Sequence, residues 1–227
     1  MRRAAAAVLL LLAAAPAARA GEGMYFTLEG GYSAFTMKGA LKQNLTPQVG
    51  AQNAAMLTDN QMPSGPLFGM HLGYNIGGHV GVEGNLAMRV WSPLDTSRGL
   101  IALGGLGARW FPLEGLVKSN RWYDISFLAG IDYVIMGGGG LISLTSSNQA
   151  RGFDGMAVEF GGTVELYPAR WVSLGITPRF YRFHPARYFT DYLNRDKGGQ
   201  IPLTGNVGGG MYSVAANVTF HFSSGGD

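Results

Sequence analysis

The chain of 227 residues contains no cysteine, which excludes a disulfide framework, thiol chemistry and a lipid anchor on a lipobox cysteine. Long hydrophobic runs are also lacking. The one extended apolar stretch, residues 4–15, is shorter than the roughly 18 residues that a transmembrane helix needs, so any crossing of a membrane must be made by strands. Charge is sparse at 14% of residues. The first twenty residues, MRRAAAAVLLLLAAAPAARA, combine Arg2 and Arg3, an apolar run and a small-x-small site at Ala18-Arg19-Ala20, the three parts of a cleaved secretory signal. Its removal leaves 14 bases against 14 acids, and a formally neutral chain gives no basic patch for nucleic acid.

What is abundant is glycine, 36 residues, and alternation of apolar with polar residues. In MYSVAANVTFHF (211–222), Tyr212, Val214, Ala216, Val218, Phe220 and Phe222 alternate with Ser213, Asn217, Thr219 and His221, the period of a strand with two unlike faces. Seven further segments repeat the pattern, led by Phe26–Leu28–Tyr32, Phe68–Met70–Leu72, Val80–Val82–Leu86, Leu100–Leu106–Trp110, Tyr123–Phe127–Ile131, Met156–Phe160–Val164 and Leu174–Ile176–Phe180. The fourth is blurred by Ile101 and Leu103. Each is about 10 residues long, enough to cross a bilayer at a tilt. Connections alternate between short (77–79, 168–170, with 112–120 modest) and long (36–65, 137–155, 183–209), with a short outer connection near 92–98 as the exception, as in a barrel with both termini on one side. Aromatics gather at strand ends in two bands, as interfacial girdles require.

The opposite faces carry Glu29, His71, Glu83, Arg89, Arg109, Asp124, Asp132, Glu159, Glu165 and Arg179 with glycines between, whereas charge hardly interrupts the apolar sets. Export, eight spans and aromatic banding favour an all-β, eight-stranded antiparallel up-and-down transmembrane barrel over a soluble sandwich, with the apolar faces toward lipid. The expected division is a signal peptide at 1–20, the barrel at 21–222 and a short tail at 223–227. Gly107-Ala108-Arg109-Trp110-Phe111 and VTFHF at 218–222 carry a resemblance to the small outer-membrane barrels of the OmpA and OmpX type. The resemblance implies an outer-membrane location among lipid and lipopolysaccharide. It also implies insertion by the barrel-assembly machinery through a C-terminal aromatic signal at Phe220 and Phe222, and, with no peptidoglycan-binding domain following, no tether to the cell wall.

A lumen this narrow is filled by its side chains, so the inward charges must pair. Counted from the rim, Arg109, Asp124 and Glu165 form a low set, and Arg89, Asp132, Glu159 and Arg179 a high set able to neutralise itself. Glu29, His71 and Glu83 form a third, in which two carboxylates around one imidazole make a structural network, a proton-sensitive latch or a metal site. The last loop offers Arg187, Tyr188, Phe189, Tyr192 and Arg195, aromatic and arginine residues of the kind enriched in binding hot spots. A catalytic triad finds little support: His184 and Asp191 share one loop, and Ser143, Ser146 and Ser147 another. The expected role is non-catalytic and cofactor-free, in envelope structure or in docking an envelope protein through outer loops. The alternatives are a narrow gated conduit for ions or small apolar molecules, or a subunit of a larger envelope machine.

Overall fold

A computed structural model describes residues 23–36, 38–55, 58, 64–91, 99–113, 122–138, 152–169, 171–189, 199–205 and 208–223. Eight strands close on themselves: β1 (Gly23–Thr36), β2 (Gly65–Ile76), β3 (Val80–Trp91), β4 (Gly99–Trp110), β5 (Tyr123–Gly138), β6 (Gly152–Ala169), β7 (Val172–Phe189) and, after a three-residue strand β8 (Gln200–Pro202), β9 (Gly209–Ser223). Neighbours in sequence pair antiparallel, and β1 closes the ring against β9 from Gly23↔Ser223 to Thr36↔Gly210. The β8 strand adds a short rung to the end of β7. This is a closed up-and-down barrel, and closure leaves no long unpaired sheet edge.

The pleat sorts the side chains as the alternation requires. Phe68, Leu106, Phe127, Ile131 and Val214 point outward and stand exposed, whereas Glu29, His71, Glu83, Arg109, Asp132 and Glu159 are buried inside. An exterior so apolar is unfavourable in water and suited to hydrocarbon. At the end that holds both chain termini, Trp110, Trp122 and Trp171 face outward, with Trp110 stacked on Phe127 and Trp171 on Phe220. The turn at 77–79 is tight, with Gly77 and Gly78 at φ 59° and 75°, a left-handed geometry that glycine adopts without strain.

Three elements differ from the sequence expectation. The stretch 36–65, expected as a loop, contains helices α1 (Lys38–Val49) and α2 (Ala51–Ala55). Leu41, Leu45 and Val49 recur at four-residue spacing and are buried, so one helical face packs into the barrel mouth opposite the termini. The stretch from 183, also expected as loop, continues β7 to Phe189, because residues 152–154 extend β6 to pair with it. Finally, the far half of the lumen is filled largely by apolar side chains around the buried Arg89: Leu67, Ile101, Leu103, Val134, Met136 and Phe183 form one cluster with Leu41, Leu45 and Val49. Ile101 and Leu103 blur the alternation of β4 because both of its faces are apolar there.

Candidate functional site: a two-zone closed lumen

Where barrel strands bring long polar side chains into a narrow interior, each must find room as well as a partner. Room comes from glycine on the adjacent strand. Glu29 lies opposite Gly69, Asp132 opposite Gly105, Glu159 opposite Gly130, Arg179 opposite Gly161 and Asn217 opposite Gly175. A methyl group placed on Gly69 would stand 2.5 Å from Glu29 Oε1, and one on Gly130 2.6 Å from Glu159 Oε1. Both carboxylates therefore lie flat over bare backbone.

The partners form a continuous chain across the lumen in the half nearer the termini. Arg179 Nη1 donates to Glu29 Oε1 at 2.6 Å, and His71 stands between two carboxylates, 3.3 Å from Glu29 Oε2 and 3.1 Å from Glu83 Oε1. Tyr25 donates to Glu83 Oε2 at 2.6 Å, which also lies 3.0 Å from Arg109 Nη2. Arg109 reaches on to Glu165 Oε1 at 3.5 Å, and Tyr167 donates to Glu165 Oε2 at 3.0 Å. The chain thus touches β7, β1, β2, β3, β4 and β6. Smaller links line the wall beside it: Asn217 to Thr177 at 2.7 Å, and Thr27 with Thr219 at 2.9 Å. Pairing on this scale offsets the desolvation that unpaired buried charges would suffer.

The groupings expected from depth alone change in two respects. Arg179 joins Glu29 and His71 rather than an upper foursome, because strand stagger brings β7 residues to the level of lower ones on β1 and β2. Glu83 is not confined to the histidine set, since Arg109 ties it to Glu165. Asp124 accepts the Ile125 N–H at 2.8 Å and sits opposite Glu165 in the strand register. Arg89 is buried in the far half with its guanidinium carbon 5.2 Å from the centre of the Phe35 ring. His71 Nε2 also lies 3.1 Å from Arg179 Nη2, so one ring nitrogen faces both a donor and an acceptor. Among the described residues, no group of three or more His, Asp or Glu side chains is arranged to hold a metal ion.

Above this polar zone, the apolar cluster and α1 fill the mouth. Gln48 fixes the helix at its outer side, donating to Thr204 O at 2.8 Å and accepting the Thr204 N–H at 2.6 Å. The helical spacing of Leu41, Leu45 and Val49 was the available sequence signal for this plug.

The residues expected in the last loop separate. Tyr188 and Phe189 are buried strand residues, corrected from the loop placement because β7 runs on to Phe189. Arg187 is exposed on the same strand, 2.6 Å from Asp154, whose carboxylate also accepts from Tyr133. Tyr192 and Arg195 lie outside the described residues, as do Asp191, Ser143, Ser146 and Ser147, while His184 stands exposed on β7. Phe220 and Phe222 both lie on the outer face of β9.

No family model matches the chain, and no curated protein matches it in sequence. Among solved structures, Neisserial surface protein A superposes with a TM-score of 0.56 at 10% identity, over 88% of this chain and 98% of that one. The N-terminal β-barrel domain of Pseudomonas aeruginosa OprF gives 0.46 at 12%, over 89% and 99%. Ail, the attachment invasion locus protein of Yersinia pestis, gives 0.45 at 11%, over 88% and 99%. With ring closure, apolar exterior and polar lumen already in place, the likeness to Neisserial surface protein A bears on the fold: the chain is a closed eight-stranded antiparallel up-and-down β-barrel.

Proposed function

We propose that the protein is a non-catalytic barrel of the outer membrane that acts as a closed scaffold, contributing to envelope structure or docking an envelope partner at the end opposite its termini. The observation that carries this reading is the double obstruction of the lumen: the chain from Arg179 to Glu165 across one half and the apolar plug with α1 in the other. A conduit needs a wetted path, and side chains fill both zones. With the termini in the periplasm, the end with α1 and Arg187 faces outward, among lipopolysaccharide. There, exposed Arg187 and its neighbours are the docking candidates. Phe220 and Phe222, at the periplasmic rim, serve insertion by the barrel-assembly machinery.

The test is planar-bilayer conductance of the refolded protein beside an Arg109→Ala/Arg179→Ala variant, with folding checked by heat-modifiable gel migration. A silent unmodified protein supports the scaffold. Discrete conductance in the unmodified protein that changes in the variant would replace it with the gated-conduit alternative.

A further inference from the structure

At the boundary between the two lumenal zones, three residues present oxygen atoms that have no hydrogen-bond partner among the described residues. Both carboxylate oxygens of Asp132, Oε2 of Glu159 and Oδ1 of Asn85 are buried without a hydrogen-bond partner. Asp132 and Glu159 are 1% and 0% exposed, so bulk water does not satisfy them. The strand register brings the three residues together. Asn85 and Asp132 both pair with Gly105, across which they face each other with no side chain between. Glu159 lies over Gly130 on the strand of Asp132, and Asn85 Nδ2 donates to Glu159 Oε1 at 2.8 Å. That bond uses one of the two hydrogens on the amide nitrogen and leaves the amide oxygen without a partner.

The charges do not balance either. The central belt holds the carboxylates of Glu29, Glu83, Glu165, Asp132 and Glu159. Arg109 is engaged with Glu83 and Glu165, and Arg179 and His71 with Glu29. Even with His71 positive, five carboxylates face three cations. Among the described residues, no ion pair within 4.0 Å involves Asp132 or Glu159. A buried carboxylate with no cation beside it must take up either a proton or a metal ion. Two carboxyl groups and an amide that together present four orphan oxygens match a hard divalent cation, which takes carboxylate, amide and water oxygens and no soft ligand.

We propose that Asp132, Glu159 and Asn85 form a lumenal binding site for a hard divalent cation, with calcium the best fit, that neutralises the belt and joins β3, β5 and β6. The set has fewer than three acidic or imidazole ligands, so water completes the shell, which calcium tolerates through its variable coordination number. Because the site is enclosed from both ends, the ion enters as the barrel closes and then exchanges slowly.

The experiment refolds the full chain into detergent in the presence or absence of calcium, and separately with terbium as a luminescent calcium substitute, then removes free metal with a chelator. Tyr181 pairs with Glu159 in the strand register, so tyrosine excitation should sensitise terbium held at the site. The expected result is about one calcium retained per chain, a higher unfolding temperature than the calcium-free protein, and terbium emission at least tenfold lower in Asp132→Asn and Glu159→Gln. Heat-modifiable migration verifies that each variant folds. Asn85→Ser, which retains an oxygen donor, covers failure of either carboxylate variant to fold and should weaken retention without abolishing it. Absence of retained calcium and of sensitised terbium in the unmodified chain, or equal retention in the folded variants, overturns the site.

Discussion

At the scale of single residues, the lumen depends on pairing large polar side chains with glycines that face them. This makes a distinctive prediction at Gly69, where the three atoms nearest to an added methyl all belong to the Glu29 side chain, between 2.5 and 3.0 Å away. Gly69→Ala should push Glu29 off Arg179 and cost about 1–3 kcal/mol, the penalty of unsatisfying a buried charged group. In a Glu29→Ala background the same glycine substitution should be nearly neutral, since the obstacle is gone. Urea unfolding of the four members of the cycle measures this, and additive effects would refute the notch. A second residue-scale prediction contrasts two arginines. Arg109 is buried against Glu83 and Glu165, so Arg109→Ala strands two carboxylates and should cost about 3–5 kcal/mol. Arg187 pairs with Asp154 through a side chain 47% exposed, and Arg187→Ala should cost no more than about 1 kcal/mol. Equal losses in unfolding free energy would mean that the network across the lumen is not what holds the barrel.

At the scale of elements, the strands were legible and the cap was not. Alternation alone identifies the outward residues of seven of the eight barrel strands, β4 being blurred by Ile101 and Leu103, because a one-residue slip would turn the whole apolar set into the lumen. It also marks Glu29, His71, Glu83 and Arg109 as inward. Partners were hidden because they depend on stagger: nothing in the spacing says that Arg179 reaches Glu29 or that Asp132 lies over Gly105. The helix α1 was masked by Pro47, which removes a backbone donor inside the segment, and by polar neighbours that obscure the Leu41–Leu45–Val49 stripe. Tertiary burial of that stripe stabilises the helix more than its own propensity does. Replacing Leu41 and Leu45 with Asp should therefore free the cap while the strands stay paired. Limited proteolysis is expected to cut within residues 38–55 at least tenfold faster, with heat-modifiable migration unchanged. A cap that stays protected would show that the Gln48–Thr204 bonds, and not the apolar face, anchor it.

For the whole molecule, the exposed apolar exterior has meaning only in a particular solvent. Trp110, Trp122 and Trp171 are 54%, 63% and 61% exposed and cluster at the end where β1 begins and β9 finishes. In water they would form part of an unusually large apolar surface and promote aggregation. In a bilayer they would sit where an indole's apolar body and N–H donor are both accommodated, at the boundary of hydrocarbon and headgroups. Depth-dependent quenching separates the two situations. With Trp91→Phe removing the fourth indole, the refolded barrel should fluoresce with blue-shifted emission. Quenching should be strongest by lipids brominated near the headgroup and weaker by those brominated at the chain ends. A barrel that only adsorbs to vesicles would expose these indoles to an aqueous quencher and respond weakly to every brominated lipid. That outcome would remove the membrane from the argument and leave the outer face needing a protein cover. The expected profile would instead place this end of the barrel at a bilayer interface, with its apolar belt as the lipid contact and its charged belt enclosed.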